Sequence, residues 1–167
     1  QAITNYKSKK MMITSFLDGK AKEILNPENC KSIGQEAAKL HKITKTFKIK
    51  RKNDLSVKSW RKIFDTVKDK CNHIHKDLPK LIEQNLSDVE KNWPNDLPKG
   101  IIHADLFSDN IFFKNETLSG IIDFYFSCND FLAYELAICI NALCFKKKSS
   151  SFIFDKKKST NLIRGYE

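Results

Sequence analysis

The chain has 167 residues, of which 41% are hydrophobic, a length and composition that indicate one domain, or part of one, with a buried core. That apolar content is too high for a disordered chain, and no apolar run approaches the roughly 18 residues that span a membrane. The net charge of +10 comes almost entirely from scattered lysines, since Arg51, Arg61 and Arg164 are the arginines. Nucleic-acid readers usually carry more arginine for bidentate contacts, so we predict neither a nucleic-acid nor a membrane partner.

The five cysteines are odd in number and contain no C-x-x-C pair. This pattern predicts buried, reduced thiols in a cytoplasmic protein rather than disulfides or zinc ligands. The chain starts Gln1-Ala2-Ile3, without an initiator Met and without the basic and apolar regions of a signal peptide. We therefore expect it to begin inside a longer chain.

The first hundred residues are predicted to be mostly helical, because apolar residues recur there at helical spacing. Proline marks the boundaries: Pro27 lies in a predicted first turn, and Pro94 and Pro98 cannot continue a helix. The predicted elements are a strand over 10–17, a helix from Pro27 to about His41, a basic loop over 44–56, a helix around 60–67 and a helix over about 78–93.

The residue pattern changes after residue 99. Short β-branched runs at 100–103, 110–113 and 118–122 predict three strands in a compact β-meander. Residues 131–145 read as a buried helix, residues 146–160 as a polar loop, and a last helix is expected to begin near Asn161. The predicted fold class is α+β, mostly helical, with the small β-meander carrying the functional loop.

Three polar residues are expected at the ends of these strands. Asp105 follows the first strand, Asn110 opens the second five residues later, and Asp123 closes the third. Phosphoryl transfer needs a carboxylate that accepts the proton of a positioned hydroxyl, together with oxygen ligands for a divalent metal. The spacing matches the H-x-D-x-x-x-x-N pattern of kinases, so we predict Asp105 as the base and Asn110 and Asp123 as metal ligands. His103 is expected to brace the loop by hydrogen bonds rather than to act as an acid or base.

The sequence around these residues resembles the aminoglycoside phosphotransferase and choline kinase family of protein-kinase-like enzymes, and within it the homoserine kinase branch. The residues that carry the resemblance are His103-Ala104-Asp105-Leu106 with Asn110, Ile122-Asp123-Phe124, the run Cys128-Asn129-Asp130, the run Ala133-Tyr134-Glu135-Leu136 and the upstream segment Ile13 to Lys20. The likeness covers most of the chain and is strongest over 100–145.

The resemblance implies transfer of the γ-phosphate of ATP, with Mg²⁺, to the hydroxyl of L-homoserine, a step of threonine biosynthesis. It also implies that the backbone of Ser15, Phe16 and Leu17 forms a hinge that contacts adenine. Residues 1–19 would then be the end of an N-lobe with the hinge, and 20–167 a truncated C-lobe. Because the Gly-rich loop and the ATP-binding lysine are not seen before the hinge, we expect the 167 residues alone to be inactive.

Several points stay open at this stage. The acceptor could be another small hydroxyl compound, such as choline, methylthioribose or an aminoglycoside, and a basic binding module without catalysis is the alternative outside the enzyme class. For a zwitterionic acceptor, Asn129, Asp130 and Glu135 are candidates on the ammonium side. Arg51 is a candidate for the carboxylate side, although an exposed basic loop residue is the simpler interpretation. The oligomeric state is not predicted.

Overall fold

The computed structural model describes residues 3–167, and helices form most of its regular structure. The first helix begins where predicted, because the side chains and backbone N–H groups of Asn26 and Asn29 cap each other at 2.8 and 3.1 Å, with Pro27 at the first helical position. The helices are α1 (Pro27–Ile43), α2 (Val57–Cys71), α3 (Leu78–Asn92), α4 (Leu132–Leu143) and α5 (Lys156–Tyr166).

The strands form four small antiparallel sheets. A hairpin of β1 (Ile3–Tyr6) and β2 (Lys9–Met12) is followed by a three-stranded sheet of β3 (Lys20–Ala21), β5 (Ile111–Lys114) and β6 (Thr117–Ile121). A two-stranded ribbon joins β4 (Lys99–Ile102) to β7 (Cys128–Phe131), and a second hairpin joins β8 (Phe145–Lys148) to β9 (Ser151–Phe154). The α+β class predicted from the sequence is confirmed.

The predicted meander is wrong in one strand. β5 and β6 pair with each other, but β4 pairs with β7 and so belongs to a different sheet. The reason is that β7, a strand of mixed polarity just before α4, was not recognised in the sequence. The predicted strand over 10–17 is also too long, since β2 ends at Met12 and residues 13–19 are not in regular structure.

The chain forms two structural units. Among the described residues, unit 1 contains 3–38, 106–123 and 139–167, and unit 2 contains 39–105 and 124–138. In unit 2, α2 and α3 are joined by Arg61, which forms ion pairs with Glu83 and Glu90. These hydrogen bonds hold the pKa of both glutamates below the usual range. The predicted lobe boundary at residue 19 is not tested by this division and stays a prediction.

The C-terminal part of unit 1 differs most from the prediction. Residues 146–160 were expected to be a loop, but they contain the β8–β9 hairpin and the start of α5. α5 begins at Lys156 instead of Asn161 because the Asp155 carboxylate caps it, accepting the N–H of Lys158 at 3.1 Å. All five cysteines are free and buried, as predicted. Within residues 3–167, no helix is long and apolar enough to cross a bilayer.

Unit 1 depends on a close approach of α1 and α5. A Cβ atom added at Gly34 would lie 2.0 Å from the carbonyl oxygen of Leu162, and one added at Gly165 would lie 2.0 Å from that of Lys31. Each helix therefore presents a glycine to the backbone of the other, and no side chain can move aside to relieve the clash.

We expect Gly34→Ala to lower the free energy of unfolding by about 1–3 kcal/mol or more, because the two helices must separate to admit the methyl group. Urea denaturation measures this change. Gly100→Ala is the matched control, since its Cβ would meet only the mobile Cδ2 of Leu132 at 2.8 Å and should cost less. Equal losses for the two variants would contradict the backbone contact.

Asp155 should make folding sensitive to acid. Its carboxylate accepts a hydrogen bond from the Lys146 ammonium at 2.7 Å and from the Lys158 N–H, which hold its pKa below the ordinary value of 3.8. A depressed pKa stabilises the fold above the ordinary pKa, and this stabilisation is lost as the pH falls through the lower value. Asp155→Ala should cost about 1 kcal/mol at pH 7, and less near pH 2, as measured by denaturation at both pH values. An equal cost at both would exclude this role.

Candidate active site

The loop that carries Asp105 is reached through the β4–β7 ribbon of unit 2. Ile102 pairs with Cys128 at the last register position, and both Ile102 and His103 are fully buried. The chain then turns sharply at Ala104, whose φ of +67° lies in the left-handed region. That conformation costs a residue with a Cβ about 1–2 kcal/mol, so specific contacts must hold it.

Glu135, in the first turn of α4, provides those contacts. Its Oε2 accepts the backbone N–H of His103, and its Oε1 accepts the backbone N–H of Ala104 at 3.1 Å. The Nε2 atom of His41, near the end of α1, lies 3.8 Å from Oε2. Glu135 is 0% exposed, so its charge is stabilised by these neighbours instead of by water. The carboxylate fixes the backbone of the two residues that precede Asp105.

His103 fixes the next bond of the loop. Its Nδ1 accepts the backbone N–H of Asp105 at 3.2 Å, and its ring packs on Phe124 with 4.6 Å between centroids. The hydroxyl of Ser127 lies 3.5 Å from the His103 carbonyl oxygen, to which it donates. The segment 124–127 therefore lies against the residue that positions Asp105.

Asn110 and Asp123 are brought together within unit 1. Residues 108–110 form a 3₁₀ turn that leads into β5, and the Asn110 carbonyl accepts the N–H of Ile122 at 3.0 Å. Asp123 follows directly with a φ of +59°, a conformation that aspartate tolerates better than most residues. Asp105, by contrast, is the last residue of its segment in unit 2.

The donor atoms of this pair suit a hard divalent cation. An amide oxygen and a carboxylate are ligands that Mg²⁺ accepts, and Mg²⁺ commonly takes the rest of its shell from water and substrate phosphates. In residues 3–167, no three His, Cys, Asp or Glu side chains are grouped as a metal site. Asn110 and Asp123 could supply two oxygen ligands of this kind.

The residues predicted to bind the ammonium have other partners. The Oδ1 atom of Asn129 accepts the N–H of Arg51 at 2.9 Å, and Asp130 accepts the side-chain amide of Asn53 at 2.6 Å. Glu135 is fully buried and its carboxylate accepts two backbone N–H groups, so the structure shows it as a support of the loop, and its contact with a substrate stays a prediction. For Asn129 and Asp130 the prediction remains.

The predicted hinge lies outside regular structure and is largely exposed. Ser15, Phe16 and Leu17 lie between β2 and β3 outside regular structure, and the Phe16 side chain is 90% exposed. Leu17 packs where a Cβ on Gly120 would be, with two of its atoms 2.9 Å from that position. Its role in binding adenine stays a prediction.

Sequence reasoning missed the part that Glu135 and His41 play. A signal was present: Glu135 is the one acidic residue in the apolar run 131–145, and a carboxylate at a buried position needs nearby donors. Cys128, at the end of the ribbon, is buried. Burial, with a smaller effect of the Asp130 carboxylate, raises the pKa of its thiol to about 11.

The chain is similar to known phosphotransferases in sequence and in fold. The model of the phosphotransferase enzyme family matches residues 4–153. A homoserine kinase of Rhizobium meliloti (strain 1021) is 42% identical over 155 residues, which cover 93% of this chain and 47% of that protein. The chain thus spans about half the length of the curated relatives it matches.

Two solved structures show the fold. An aminoglycoside-3'-phosphotransferase of type VIII superposes with a TM-score of 0.65 at 18% identity, over 94% of this chain and 60% of the other. An amicoumacin kinase in complex with AMP-PNP and Ca²⁺ gives 0.64 at 12% identity, over 99% of this chain and 52% of the other. The predicted protein-kinase-like fold is confirmed, and the chain belongs to the phosphotransferase enzyme family.

Proposed function

We propose that the protein containing this chain transfers the γ-phosphate of ATP to the hydroxyl of L-homoserine. The observation that carries the proposal is the loop at residues 103–105, in which Glu135 and His103 together fix the backbone that presents Asp105. The names of the homoserine kinase relatives support the acceptor. A family structure that holds AMP-PNP and Ca²⁺ supports a nucleotide with a divalent cation.

In the proposed reaction, the homoserine hydroxyl oxygen forms a bond to the γ-phosphorus of ATP. The bond from that phosphorus to the bridging oxygen breaks, and ADP leaves. Asp105 orients the hydroxyl and accepts its proton, which is the role of the catalytic-loop aspartate in kinases. Glu135 and His103 act as positioning residues, because they touch the loop backbone instead of the reacting atoms.

Asn110 and Asp123 would hold Mg²⁺. A bound metal would stabilise the negative charge of the phosphates. The Asn110 carbonyl accepts the N–H of Ile122, so the backbones of Asn110 and Asp123 lie close together within unit 1, which supports a shared role. The backbone at Ser15 to Leu17 is our proposed adenine contact.

Asp105→Asn should lower kcat by about 10²- to 10⁴-fold, because an amide orients the hydroxyl but does not accept its proton. The rate is measured as ADP release with L-homoserine, using the full-length protein that contains this chain. Asp109→Asn is the matched control, since it changes a neighbouring loop carboxylate and should leave kcat near wild type. A rate for Asp105→Asn within a few-fold of wild type would remove its assignment as the base.

The acceptor is tested with the same protein and a panel of L-homoserine, choline, methylthioribose and kanamycin. We expect kcat/KM to be highest for L-homoserine. A higher value for another compound would show that this compound, and not L-homoserine, is the acceptor. The assignment of the protein as a phosphotransferase would still stand. Mg²⁺-independent nucleic-acid binding that weakens steeply with salt, without turnover of any acceptor, would favour the binding-module alternative.

Glu135→Gln should lower both stability and turnover. The amide replaces one carboxylate oxygen with an N–H group that faces a backbone N–H, which leaves a buried donor without an acceptor at a cost of about 1–3 kcal/mol. Urea denaturation measures the first effect and kcat the second. Glu116→Gln is the control: Glu116 forms an exposed ion pair with Lys22 and should change neither. Wild-type values for Glu135→Gln would contradict the loop-positioning role.

A further inference from the structure

We infer that Arg51 binds the carboxylate of the acceptor and so makes the enzyme selective for hydroxy amino acids over uncharged or purely cationic alcohols. The inference rests on the proposed function and adds to it a residue that determines specificity. It is carried by three features of unit 2: a fixed backbone at Arg51, a guanidinium held at the segment 124–127, and the contact of that segment with His103.

The backbone of Arg51 is fixed although it lies in no helix or strand. Its N–H donates to the Oδ1 atom of Asn129 at 2.9 Å, and its carbonyl accepts the N–H of Asn129 at 2.7 Å. Two residues on, the side chain of Asn53 donates to Asp130 at 2.6 Å and is almost fully buried. The segment 51–53 is therefore attached to β7 at both ends. A basic loop residue that served only solubility would not need a fixed backbone.

The guanidinium is aimed rather than extended into solvent. Its Nη1 donates to the carbonyl of Tyr125 and, at 3.4 Å, to that of Ser127, while its carbon lies 5.8 Å from the centre of the Tyr125 ring. The side chain is still 46% exposed. Because a guanidinium has five N–H donors, contacts from Nη1 leave Nε and Nη2 able to bind a carboxylate.

The neighbouring acid is a weak competitor. The Asp54 carboxylate lies 3.6 Å from Nη2, and its side chain is 77% exposed, so water screens the pair. A substrate carboxylate can displace it at little cost. The other arginine of unit 2, Arg61 on α2, is engaged with both Glu83 and Glu90 on α3. Arg51 is thus the arginine of this unit with capacity for an anionic ligand.

The position suits an acceptor whose hydroxyl is at Asp105. Ser127, whose carbonyl accepts from Arg51, donates its hydroxyl to the carbonyl of His103 at 3.5 Å. Phe124 packs on the His103 ring, and His103 in turn accepts the N–H of Asp105. A short chain of direct contacts therefore connects the guanidinium with the proposed base. In homoserine, a short aliphatic chain likewise separates the carboxylate from the hydroxyl.

The test compares two enzymes, each with two substrates. Wild type and Arg51→Ala are assayed with L-homoserine and with 3-aminopropan-1-ol, which is homoserine without its carboxylate. Loss of a charge-assisted bidentate contact should lower kcat/KM for L-homoserine by about 10- to 100-fold, mainly through KM. The value for 3-aminopropan-1-ol should be low in wild type and should stay unchanged in the variant. The ratio of kcat/KM for L-homoserine to that for 3-aminopropan-1-ol should therefore be much lower in the variant than in wild type.

Lys52→Ala is the matched control, because it removes a neighbouring exposed cation and should keep the preference. If Arg51→Ala does not fold, as judged by its thermal unfolding, Arg51→Gln replaces it, since the amide still donates to the Tyr125 carbonyl. Equal losses for both substrates would assign Arg51 a structural role and overturn the inference. An unchanged KM for L-homoserine would also overturn it. A wild-type enzyme that phosphorylates another acceptor but not L-homoserine would instead refute the proposed function.

Discussion

The interaction on which the rest of unit 2 depends is the one between the buried carboxylate of Glu135 and the backbone at His103 and Ala104. A charged group without access to water is tolerated only when its lone pairs are occupied by donors. Glu135 has no solvent exposure, and it meets this need with two adjacent N–H groups and a nearby imidazole. The same bonds hold Ala104 in a left-handed conformation that it would not adopt alone. The conformation of the loop at His103 and Ala104 and the position of α4 therefore depend on each other. Loss of either would leave a buried polar group of the other without its partner.

The β4–β7 ribbon transmits this constraint to the acceptor side. β4 leads into the loop that ends at Asp105, and β7 leads directly into α4, which carries Glu135. Asn129, in the middle of β7, also holds the backbone of Arg51. The β4–β7 ribbon thus supports the backbone of both the proposed base, Asp105, and Arg51, the cationic residue that we assign to the substrate carboxylate. Rigid support of this kind matters because a displacement of about 1 Å between reacting groups can lower a rate by 10²-fold.

The sequence predicted what local chemistry determines. The start of α1 at Pro27, the end of α3 before Pro94 and the spacing of Asp105, Asn110 and Asp123 follow from capping, proline and motif patterns within a few residues. The pairing of β4 with β7 was missed because it joins segments far apart in the chain, and neither strand alone signals its partner. The β8–β9 hairpin was missed because its lysines and serines resemble a loop. Glu135 could be recognised as unusual, but the periodicity of a helix does not reveal what a buried side chain faces.

Two non-glycine residues with positive φ lie at the functional positions, and this choice has a physical consequence. Ala104 precedes the proposed base, and Asp123 is itself a proposed metal ligand. Glycine at position 104 would adopt this conformation without strain, but it would also populate many others, so the backbone that carries Asp105 would be less fixed. Glycine at position 123 would remove the carboxylate itself. A residue with a Cβ has fewer alternatives, and once the bonds to Glu135 fix Ala104, little freedom remains to be lost on substrate binding. The strain at Ala104, about 1–2 kcal/mol, is offset by those bonds. In return, the backbone that carries the proposed base Asp105 is fixed in advance, which would lower the entropy cost of reaching the transition state.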